Sequence, residues 1–345
     1  MKNFLIISTT GLGDTLWGTP AIRAIKKALP RAEIDLLLQP QWKSLFYGNS
    51  NIRRLIPYSP RWYRQIIRLP RFLGARYDHV LIFHANKDIR RVLPWLRCSS
   101  IWAHQQITNL PGVPLNQIVR FEKPVHGILR RMAMLGKIQI PSHDTHMDIF
   151  LNDDDQTEAL LFLKRNRMIP KEFVYLNIGG SIPQKQWPID KCIALAKLIL
   201  QNTSLAIVLG GGPEDASRGN SIEKQLDQQR VTCATHRSLR ANCALIAQAR
   251  MLITPDSGPM HIGFALKVPT VALFWATDSQ GRNRNALNGP KYCGPVGIEK
   301  NLYSVLYGSF TDTKKEGDPS HFFLNPILVS EVWKKVQDFL ELKTE

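Results

Sequence analysis

The chain has 345 residues, which is room for two domains of ordinary size, and 44% of them are hydrophobic, as in globular proteins. No apolar run approaches the ~20 residues of a membrane-spanning helix, and the N-terminus enters a strand directly, without the long apolar core of a secretory signal. Lys and Arg total 45 against 28 Asp and Glu, a net charge of +17, which favours anionic partners.

The cysteines are dispersed along the chain without CxxC or CxxH spacing. An odd, scattered set predicts reduced thiols in a cytosol and argues against a disulfide framework or a zinc site. The five are Cys98, Cys192, Cys233, Cys243 and Cys293.

The first predicted elements are a strand at 4–8 and a helix at 15–29, joined by a turn that carries Gly11, Gly13 and Asp14. The glycines let the backbone turn tightly, and the turn places a carboxylate where open α/β sheets bind ligands. Asp14 is also a good N-cap for the following helix, because Asp is a preferred cap residue. Both interpretations of Asp14, ligand-facing and capping, stay open at this point.

The same strand, turn and helix invite a dinucleotide-binding interpretation, which the sequence excludes. The fingerprint requires a third glycine three residues after the second, and an acidic residue at the end of the next strand. Leu16 occupies the glycine position, and the strand predicted at 34–38 ends in Gln39 and Pro40. A nicotinamide or flavin is therefore not expected, and we expect no cofactor.

The stretch from 53 to 97 carries about half of the net charge, with eleven basic residues against two acids. Its basic residues alternate with aromatic and aliphatic ones, as at a surface that meets a phospholipid interface or an anionic lipid-linked substrate. The same composition also suits RNA, or an ordinary solvated basic helix face. The expected membrane- or acceptor-facing residues are Arg61, Trp62, Arg64, Arg68 and Arg71.

Short apolar strands alternate with helical patterns through the first half of the chain. Further strands are predicted at 80–84 and, weakly, at 54–57, and a further helix at 126–135. This alternation predicts a parallel sheet with helices on its faces.

A second series of strands and helices begins after residue 170. Its strands are predicted at 173–178, 205–209, 251–254 and 270–274, with helices at about 188–200, 214–228 and 259–266. Three strands run into glycine-bearing loops, whose backbone N–H groups and following helix N-termini suit phosphates. These loops are 179–180, 210–212 and 256–258.

Two similar series of this kind predict an α/β fold with two doubly wound domains and a cleft between them. We place the first domain at 1–160 and the second at 161–325. An amphipathic helix predicted over 326–342, in the final segment 326–345, could pack back across both domains.

Four motifs in order give the chain a specific resemblance to a known family. They are G-L-G-D-T-L at 11–16 followed by T-P-A-I-R-A-I-K, K-x-W-P at 185–188, two glycines and an acid after a strand at 211–214, and D-S-G-P-M-H at 256–261. With them, most of the chain resembles the ADP-heptose:lipopolysaccharide heptosyltransferases, glycosyltransferase family 9. The resemblance implies the GT-B architecture of two Rossmann-like domains, with the acceptor bound by the first and the ADP-sugar by the second.

The resemblance also implies two catalytic residues. Inverting glycosyl transfer needs a base that takes the proton of the acceptor hydroxyl, and the family assigns this role to the Asp that corresponds to Asp14. Lys185 is expected to face the diphosphate, where a fixed cation stabilises the leaving ADP without a metal. The alternative for Lys185 is plain solvent exposure. Trp187 and Pro188 are expected to serve packing and the helix start.

The remaining site residues are expected to bind the nucleotide sugar. Backbone N–H groups of Ser257 and Gly258 would hold phosphate oxygens at a helix N-terminus. Glu214 would accept hydrogen bonds from the ribose hydroxyls, or else serve as a first-turn helix acid. Asp256 would orient its loop or touch the substrate, and His261 would reach either phosphate or a core neighbour. The set is completed by Met260, expected in the nucleoside pocket, and by Gly13, Gly179, Gly180, Ser181, Gly211 and Gly212.

Two segments need a separate interpretation: one differs from the family pattern, and the other resembles a metal-binding motif. Between Gly179 and Lys185 this chain reads Ser-Ile-Pro-Gln where family members often carry Arg or Thr, which bears on the phosphate contacts and on heptose as the donor sugar. Three consecutive acids at 153–155 resemble a metal-binding DxD motif. They precede a helix and are interpreted as capping residues, so no metal is expected.

The sequence thus predicts an inverting glycosyltransferase that moves heptose, or a related sugar, from an ADP-sugar to an anionic lipopolysaccharide inner-core acceptor. We expect it in the cytoplasm, peripherally associated with the inner membrane, with no nucleic acid as a partner. The alternatives are a nucleotide-sugar epimerase or hydrolase of the same fold, and a non-catalytic basic protein that binds lipid or RNA.

Overall fold

The computed structural model describes residues 1–58, 75–105, 113–180, 182–277, 289–309 and 324–341. The chain divides into two compact units, Met1–Phe150 and Leu151–Glu345, and each has its own sheet. Several of the predicted functional residues lie outside the described residues, namely Arg61, Trp62, Arg64, Arg68, Arg71 and Ser181.

The first unit is built on a sheet of six parallel strands. Strand β1 carries the run Phe-Leu-Ile-Ile, which is buried on both faces of the sheet as parallel strands require. The order across the sheet is β3-β2-β1-β4-β5-β6. In chain order, β1 to β6 are Asn3–Ser8, Glu33–Leu38, Arg54–Pro57, Arg76–His84, Arg97–His104 and Ile118–Val119.

The helix predicted at 15–29 is two helices, α1 (Leu12–Leu16) and α2 (Thr19–Ala28). Pro20 lies in the first turn of α2, where the missing N–H costs nothing, so the chain starts a new helix there. A third helix, α3 (Gly127–Lys137), also belongs to this unit.

A buried carboxylate links three strands of the first unit. Asp35 on β2 is fully buried and accepts hydrogen bonds from the guanidinium groups of Arg53 and Arg54 and from the hydroxyl of Tyr77, the last at 2.8 Å. Burial alone would raise the pKa of Asp35, but these hydrogen bonds and the positive charge of Arg53 hold it below its usual value. The carboxylate is therefore anionic inside the protein and ties β2 to β3 and β4.

The second unit repeats the topology of the first. Its parallel strands are ordered β12-β11-β10-β7-β8-β9, so each unit places its first strand between its second and fourth. Strands β7 to β12 are Phe173–Asn177, Ala206–Gly210, Val231–Cys233, Met251–Pro255, Thr270–Thr277 and Tyr303–Ser309. Helices α4 to α10 are Asp153–Arg165, Ile189–Asn202, Ala216–Glu223, Leu239–Gln248, Gly258–Ala265, Pro290–Cys293 and Val329–Glu341.

The division between the units lies at 150/151, ten residues before the boundary placed at 160. The reason is helix α4, which packs against α7 of the second unit. Asp155 of α4 forms an ion pair with Arg240 of α7, and both side chains are largely buried. A boundary at 160 would cut through this helix.

The acids at 153–155 form the first turn of α4, and their interpretation as capping residues is confirmed. Asn152 is the N-cap: its side chain accepts from the N–H of Asp155, whose carboxylate accepts from the N–H of Asn152 in return. Acids in the first turn also favour the positive end of the helix dipole.

The predicted C-terminal helix is α10. Its apolar face, with Val332 and Val336 fully buried, joins the core of the second unit, and Trp333 packs against that core. Within the described parts of the chain, every helix falls short of the length and apolarity that a membrane crossing requires.

Candidate active site

Three of the predicted site residues follow strands that flank the point where strand order reverses in each sheet. In the first unit this point lies between β1 and β4, and in the second between β7 and β10. Open α/β sheets bind ligands outside the carboxyl ends of the strands at such a point. Asp14 follows β1, Gly179 follows β7 and Asp256 follows β10.

Asp14 lies in the first turn of α1, and the alternative that it is the helix N-cap is wrong. The N-cap position belongs to Gly11, so Asp14 is part of the helix and its side chain does not serve as the cap. The hydroxyl of Thr10 donates to Oδ2 of Asp14 at 3.1 Å. About a quarter of the Asp14 side chain is exposed.

The other oxygen of the Asp14 carboxylate faces a buried arginine that the sequence did not single out. Nη2 of Arg131 lies 3.4 Å from Oδ1 and donates to the Asp14 backbone carbonyl at 2.9 Å. The two residues are 117 positions apart, so no local pattern could have paired them. Gly13, also a predicted site residue, lies in the same short helix.

In the second unit, Lys185 and Asp256 form an ion pair at the carboxyl edge of the sheet. The Lys185 ammonium is 3.5 Å from Oδ2 of Asp256, and 21% of the lysine side chain is exposed. Burial raises the pKa of the Asp256 carboxyl, and the nearby ammonium opposes that rise. Lys185 is therefore held by a carboxylate inside the protein, which argues against plain solvent exposure.

A buried amide organises the loops after β7 and β10. Nδ2 of Asn177 donates to the hydroxyl of Thr254 at 2.9 Å, to that of Ser257 at 3.2 Å and to the Gly179 carbonyl at 3.3 Å. Asn177 ends β7 and Thr254 lies in β10, so one side chain connects two loops that the sequence assigned to the nucleotide sugar. Nothing in the sequence singles out Asn177, because it is the last residue of an apolar run.

The glycine loops after β7 and β8 close around another unpredicted residue, Asp215. A Cβ on Gly179 would lie 2.2 Å from its carboxylate, and one on Gly211 would lie 2.8 Å from it, so both positions need glycine for this close approach. The carboxylate accepts from the Gly212 N–H at 2.9 Å and from Gln186 at 2.9 Å. Burial raises the pKa of the Asp215 carboxyl. The Gly212 N–H, which was predicted to face phosphate, thus donates to Asp215 instead. The sequence pointed to the neighbouring Glu214 and not to Asp215.

The D-S-G-P-M-H motif opens helix α8, with Ser257 as N-cap and Gly258 as the first helical residue. The first N–H groups of a helix have no partner within it and suit an anion. Met260 is fully buried, and His261 is 5% exposed with its ring edge-on to Phe264.

The other predicted residues of this unit differ in exposure. Glu214 is exposed and stands over Gly212, where a Cβ would lie 2.3 Å from its carboxylate, while Gly180 packs on the backbone of Lys185. Trp187 is 2% exposed in the core and Pro188 is the N-cap of α5, so their expected packing and helix-start roles are confirmed. Among the described residues, no group of three or more His, Cys, Asp and Glu side chains is arranged to hold a metal ion.

Comparison with known proteins gives this arrangement a chemical context. The sequence model described as glycosyltransferase family 9 (heptosyltransferase) matches residues 104–288, more than half of the chain. Lipopolysaccharide heptosyltransferase 1 of Campylobacter coli is 26% identical over 352 residues, covering 96% of this chain and 97% of that protein. Lipooligosaccharide heptosyltransferase 2 of Campylobacter jejuni is 25% identical over 295 residues, covering 83% of this chain and 86% of that protein.

Solved structures show the same fold. A glycosyltransferase of family 9 from Veillonella parvula has a TM-score of 0.80 at 21% identity and covers 99% of this chain and 98% of its own. The ADP-heptose lipopolysaccharide heptosyltransferase II of E. coli has a TM-score of 0.78 at 19% identity and covers all of both chains. The predicted α/β fold of two parallel-sheet units is confirmed.

Proposed function

The chain belongs to glycosyltransferase family 9 and is a glycosyltransferase, and from this premise we propose that it transfers heptose from ADP-heptose to an anionic lipopolysaccharide inner-core acceptor. Support for the sugar and the acceptor comes from the relatives, which are named as lipopolysaccharide or lipooligosaccharide heptosyltransferases, and from the solved enzyme named for ADP-heptose. The observation that carries the proposal lies in the second unit, where the Lys185 ammonium is ion-paired with the largely buried Asp256 beside the N-terminus of α8.

We propose that Asp14 is the general base of an inverting reaction. Its carboxylate takes the proton of the acceptor hydroxyl while that oxygen forms a bond to the anomeric carbon and the bond to the nucleotide diphosphate breaks on the opposite face. Two features support this role: the partial exposure of the side chain, and its fixed orientation between Thr10 and Arg131. A base that is held in one orientation loses little entropy when the acceptor arrives.

We propose that the loops of the second unit bind the donor. Negative charge grows on the diphosphate as the glycosidic bond breaks, and the Lys185 ammonium with the first N–H groups of α8 would stabilise it without a metal ion. Glu214, exposed at the end of β8, would accept hydrogen bonds from the ribose hydroxyls. Asn177 and Asp215 would position these loops, because each bonds to more than one of them.

A direct test begins with calorimetric titration of the purified protein with ADP, UDP and GDP, with and without magnesium. Selective ADP binding that does not need magnesium is expected. Transfer from ADP-heptose to a truncated core acceptor is then measured for the wild type and for Asp14→Asn, with Asp154→Asn as a control at an exposed first-turn acid of α4.

We expect Asp14→Asn to lower kcat by about 10²- to 10⁴-fold and to leave the affinity for ADP unchanged. Asp154→Asn should change neither kcat nor the affinity for ADP. Full transfer by Asp14→Asn would refute the base assignment. Preference for UDP or GDP would refute the donor, and sugar-nucleotide turnover without acceptor would favour an epimerase or hydrolase.

We also propose that the enzyme works at the cytoplasmic face of the inner membrane, peripherally attached through the basic surface of the first unit. The residues first predicted for it, Arg61 to Arg71, are outside the described residues. A neighbouring part of the same basic stretch supports the proposal. Trp95 is 71% exposed, and the flanking Arg90, Arg91 and Arg97 are exposed as well. An exposed indole among cationic side chains suits an anionic bilayer surface.

A further inference from the structure

Arg131 has an environment that a surface arginine does not share. Its side chain is fully buried in α3, although a guanidinium carries a permanent charge. Nη1 donates to the Gly127 carbonyl at 2.8 Å, one helical turn earlier. Nη2 donates to the Asp14 carbonyl at 2.9 Å and lies 3.4 Å from the Asp14 carboxylate. A charge buried to this extent needs partners, and the acidic partner here is the proposed base.

The aromatic ring of Trp17 holds the guanidinium in place. The ring centroid is 5.3 Å from the guanidinium carbon of Arg131, a cation–π distance, and 5.4 Å from the ring of His126. Helix α3 can approach the ring this closely because it begins with Gly127, where a Cβ would lie 2.3 Å from Trp17. Trp17 directly follows α1, the helix that carries Asp14. Its contact with Arg131 therefore holds the guanidinium next to that helix.

Among the residues that the structure describes, two arginines of α3 are charged groups close to Asp14. His84 ends β4 and His104 ends β5; burial lowers the pKa of both, to about 3 for His104, so both are neutral near pH 7. His126, the N-cap of α3, accepts the Ile128 N–H on Nδ1. Arg130 and Arg131 are both largely buried on α3, and Arg131 is the one in contact with Asp14.

We propose that Arg131 is a positioning residue for the reaction: it keeps the Asp14 carboxylate ionised and turned toward the acceptor hydroxyl. The inference rests on the proposed role of Asp14 as the base. A cation within ~4 Å of a carboxylate favours its charged form, and only that form can take a proton. Thr10 completes the arrangement, since its hydroxyl donates to the second oxygen. Arg131 thus acts through its contact with the Asp14 carboxylate, and the proposal gives it no contact with the substrate.

The test compares Arg131→Met and Arg131→Lys with the wild type, and records kcat and KM for transfer across pH. Arg131→Met should lower kcat by up to about a hundredfold, because a base misplaced by about 1 Å costs that much. It should also move the acidic limb of the kcat profile upward by about one pH unit or more, because the ionised carboxylate has lost its cation. Arg131→Lys keeps the charge and should restore most of the limb position.

His84 is near enough to Asp14 to contribute to the same limb, so the profiles are repeated with His84→Gln in every protein. A limb shift caused by Arg131→Met that persists in this background assigns the limb to Asp14. A kcat loss with an unmoved limb would mean that Arg131 serves packing alone, and would overturn the proposal. A limb that moves only when His84 is present would overturn it too.

Urea unfolding of each variant checks that the first unit, which carries the substitutions, is folded, and the affinity for ADP checks the second unit. If Arg131→Met does not fold, Arg131→Lys and Thr10→Val decide the matter: Arg131→Lys should leave the limb near its wild-type position, and Thr10→Val, which removes the other donor to the carboxylate, should lift it by a smaller amount than Arg131→Met. An unmoved limb in Thr10→Val, or a limb in Arg131→Lys that rises by a full unit although the charge is kept, overturns the proposal. Failure of the underlying function is separate, because it appears as full activity in Asp14→Asn.

Discussion

The ammonium of Lys185 lies 3.5 Å from Oδ2 of Asp256, across the carboxyl edge of β7 and β10. Asp256 is the less exposed of the two, with 12% of its side chain accessible against 21% for the lysine. The ammonium is held by a largely buried acid, and part of the lysine side chain remains exposed to solvent. An anionic leaving group at this edge would meet a charge that is already oriented, so little reorganisation remains for the transition state.

Replacing Lys185 with Met is expected to lower kcat/KM for transfer by about 100-fold or more, because the leaving diphosphate loses its cation. ADP affinity should fall in the same variant, and Lys185→Arg should retain part of both. The variant should still fold, since burial raises the pKa of Asp256 and favours its neutral form once the ammonium is gone. Lys164→Met, at an exposed lysine of α4, is the matched control. Unchanged transfer kinetics in Lys185→Met would exclude Lys185 from the reaction.

Two glycines of helix α3 should respond oppositely to alanine. At Gly127 a Cβ would lie 2.3 Å from the Trp17 ring, so Gly127→Ala forces the helix away and should destabilise the protein by about 1–3 kcal/mol. At Gly136 no atom lies within 4 Å of the added methyl, so Gly136→Ala should be neutral or stabilising by up to about 1 kcal/mol. Urea unfolding of both variants measures the difference. Equal effects would show that the contact with Trp17 does not constrain α3.

The buried Asp35 makes the first unit sensitive to acid. Its pKa is lower in the folded chain than the ordinary value of 3.8, so its contribution to stability is present above about pH 4 and is lost as the pH falls through the folded pKa. Asp35→Asn should cost about 3 kcal/mol at neutral pH, because two guanidinium groups lose their buried anion.

The free energy of unfolding, measured from pH 7 to pH 3, should show a shallower acid loss in Asp35→Asn than in the wild type. Asp78→Asn provides a comparison, because its carboxylate accepts a single backbone N–H from Asn3 in the same unit. Parallel pH profiles for the wild type and Asp35→Asn would contradict a lowered pKa at Asp35.

Membrane attachment can be tested at residues whose environment is known. Arg90→Ala and Arg97→Ala are each expected to weaken sedimentation with phosphatidylglycerol vesicles by about fivefold, since one cation near an anionic surface contributes about 1 kcal/mol. Trp95→Ala should weaken it as well, because the exposed indole would no longer enter the bilayer interface. Phosphatidylcholine vesicles should bind weakly in every case. Tyr307→Ala and Arg165→Ala change an exposed aromatic residue and an exposed arginine of the second unit, and should leave binding intact. Wild-type binding by Trp95→Ala and Arg90→Ala would remove this surface from the membrane proposal.

Several elements were readable from the sequence because their signals are local. The apolar runs of β1, β2 and β7 predict buried parallel strands, as the structure has them. The tight turn predicted from the glycines before Asp14 is wrong: Gly11 is the extended N-cap of α1, and Gly13 lies within that helix. The acids of α4 were interpreted as capping residues, and Asp155 forms the capping box with Asn152. Each of these conclusions depends on residues within a few positions of one another.

Strands β5, β6, β9 and β12 were not predicted. β5 reads Arg-Cys-Ser-Ser-Ile-Trp-Ala-His, in which the apolar residues are clustered at one end, and β6 and β9 have only two and three residues. All four lie away from the centres of their sheets, where fewer side chains are covered on both faces and polar residues are tolerated. Their pairing depends on a neighbouring strand that is already in place.

The candidate functional residues and the loops that carry them could be identified from the sequence alone, since helix starts and apolar periodicity are properties of neighbouring residues. The partners of those residues could not. Arg131 reaches Asp14 across 117 positions because Gly127 lets α3 approach Trp17, and Asp215 joins two loops because Gly179 and Gly211 have no side chains to exclude it. Such contacts depend on how closely distant backbones approach, and only the folded chain sets those distances.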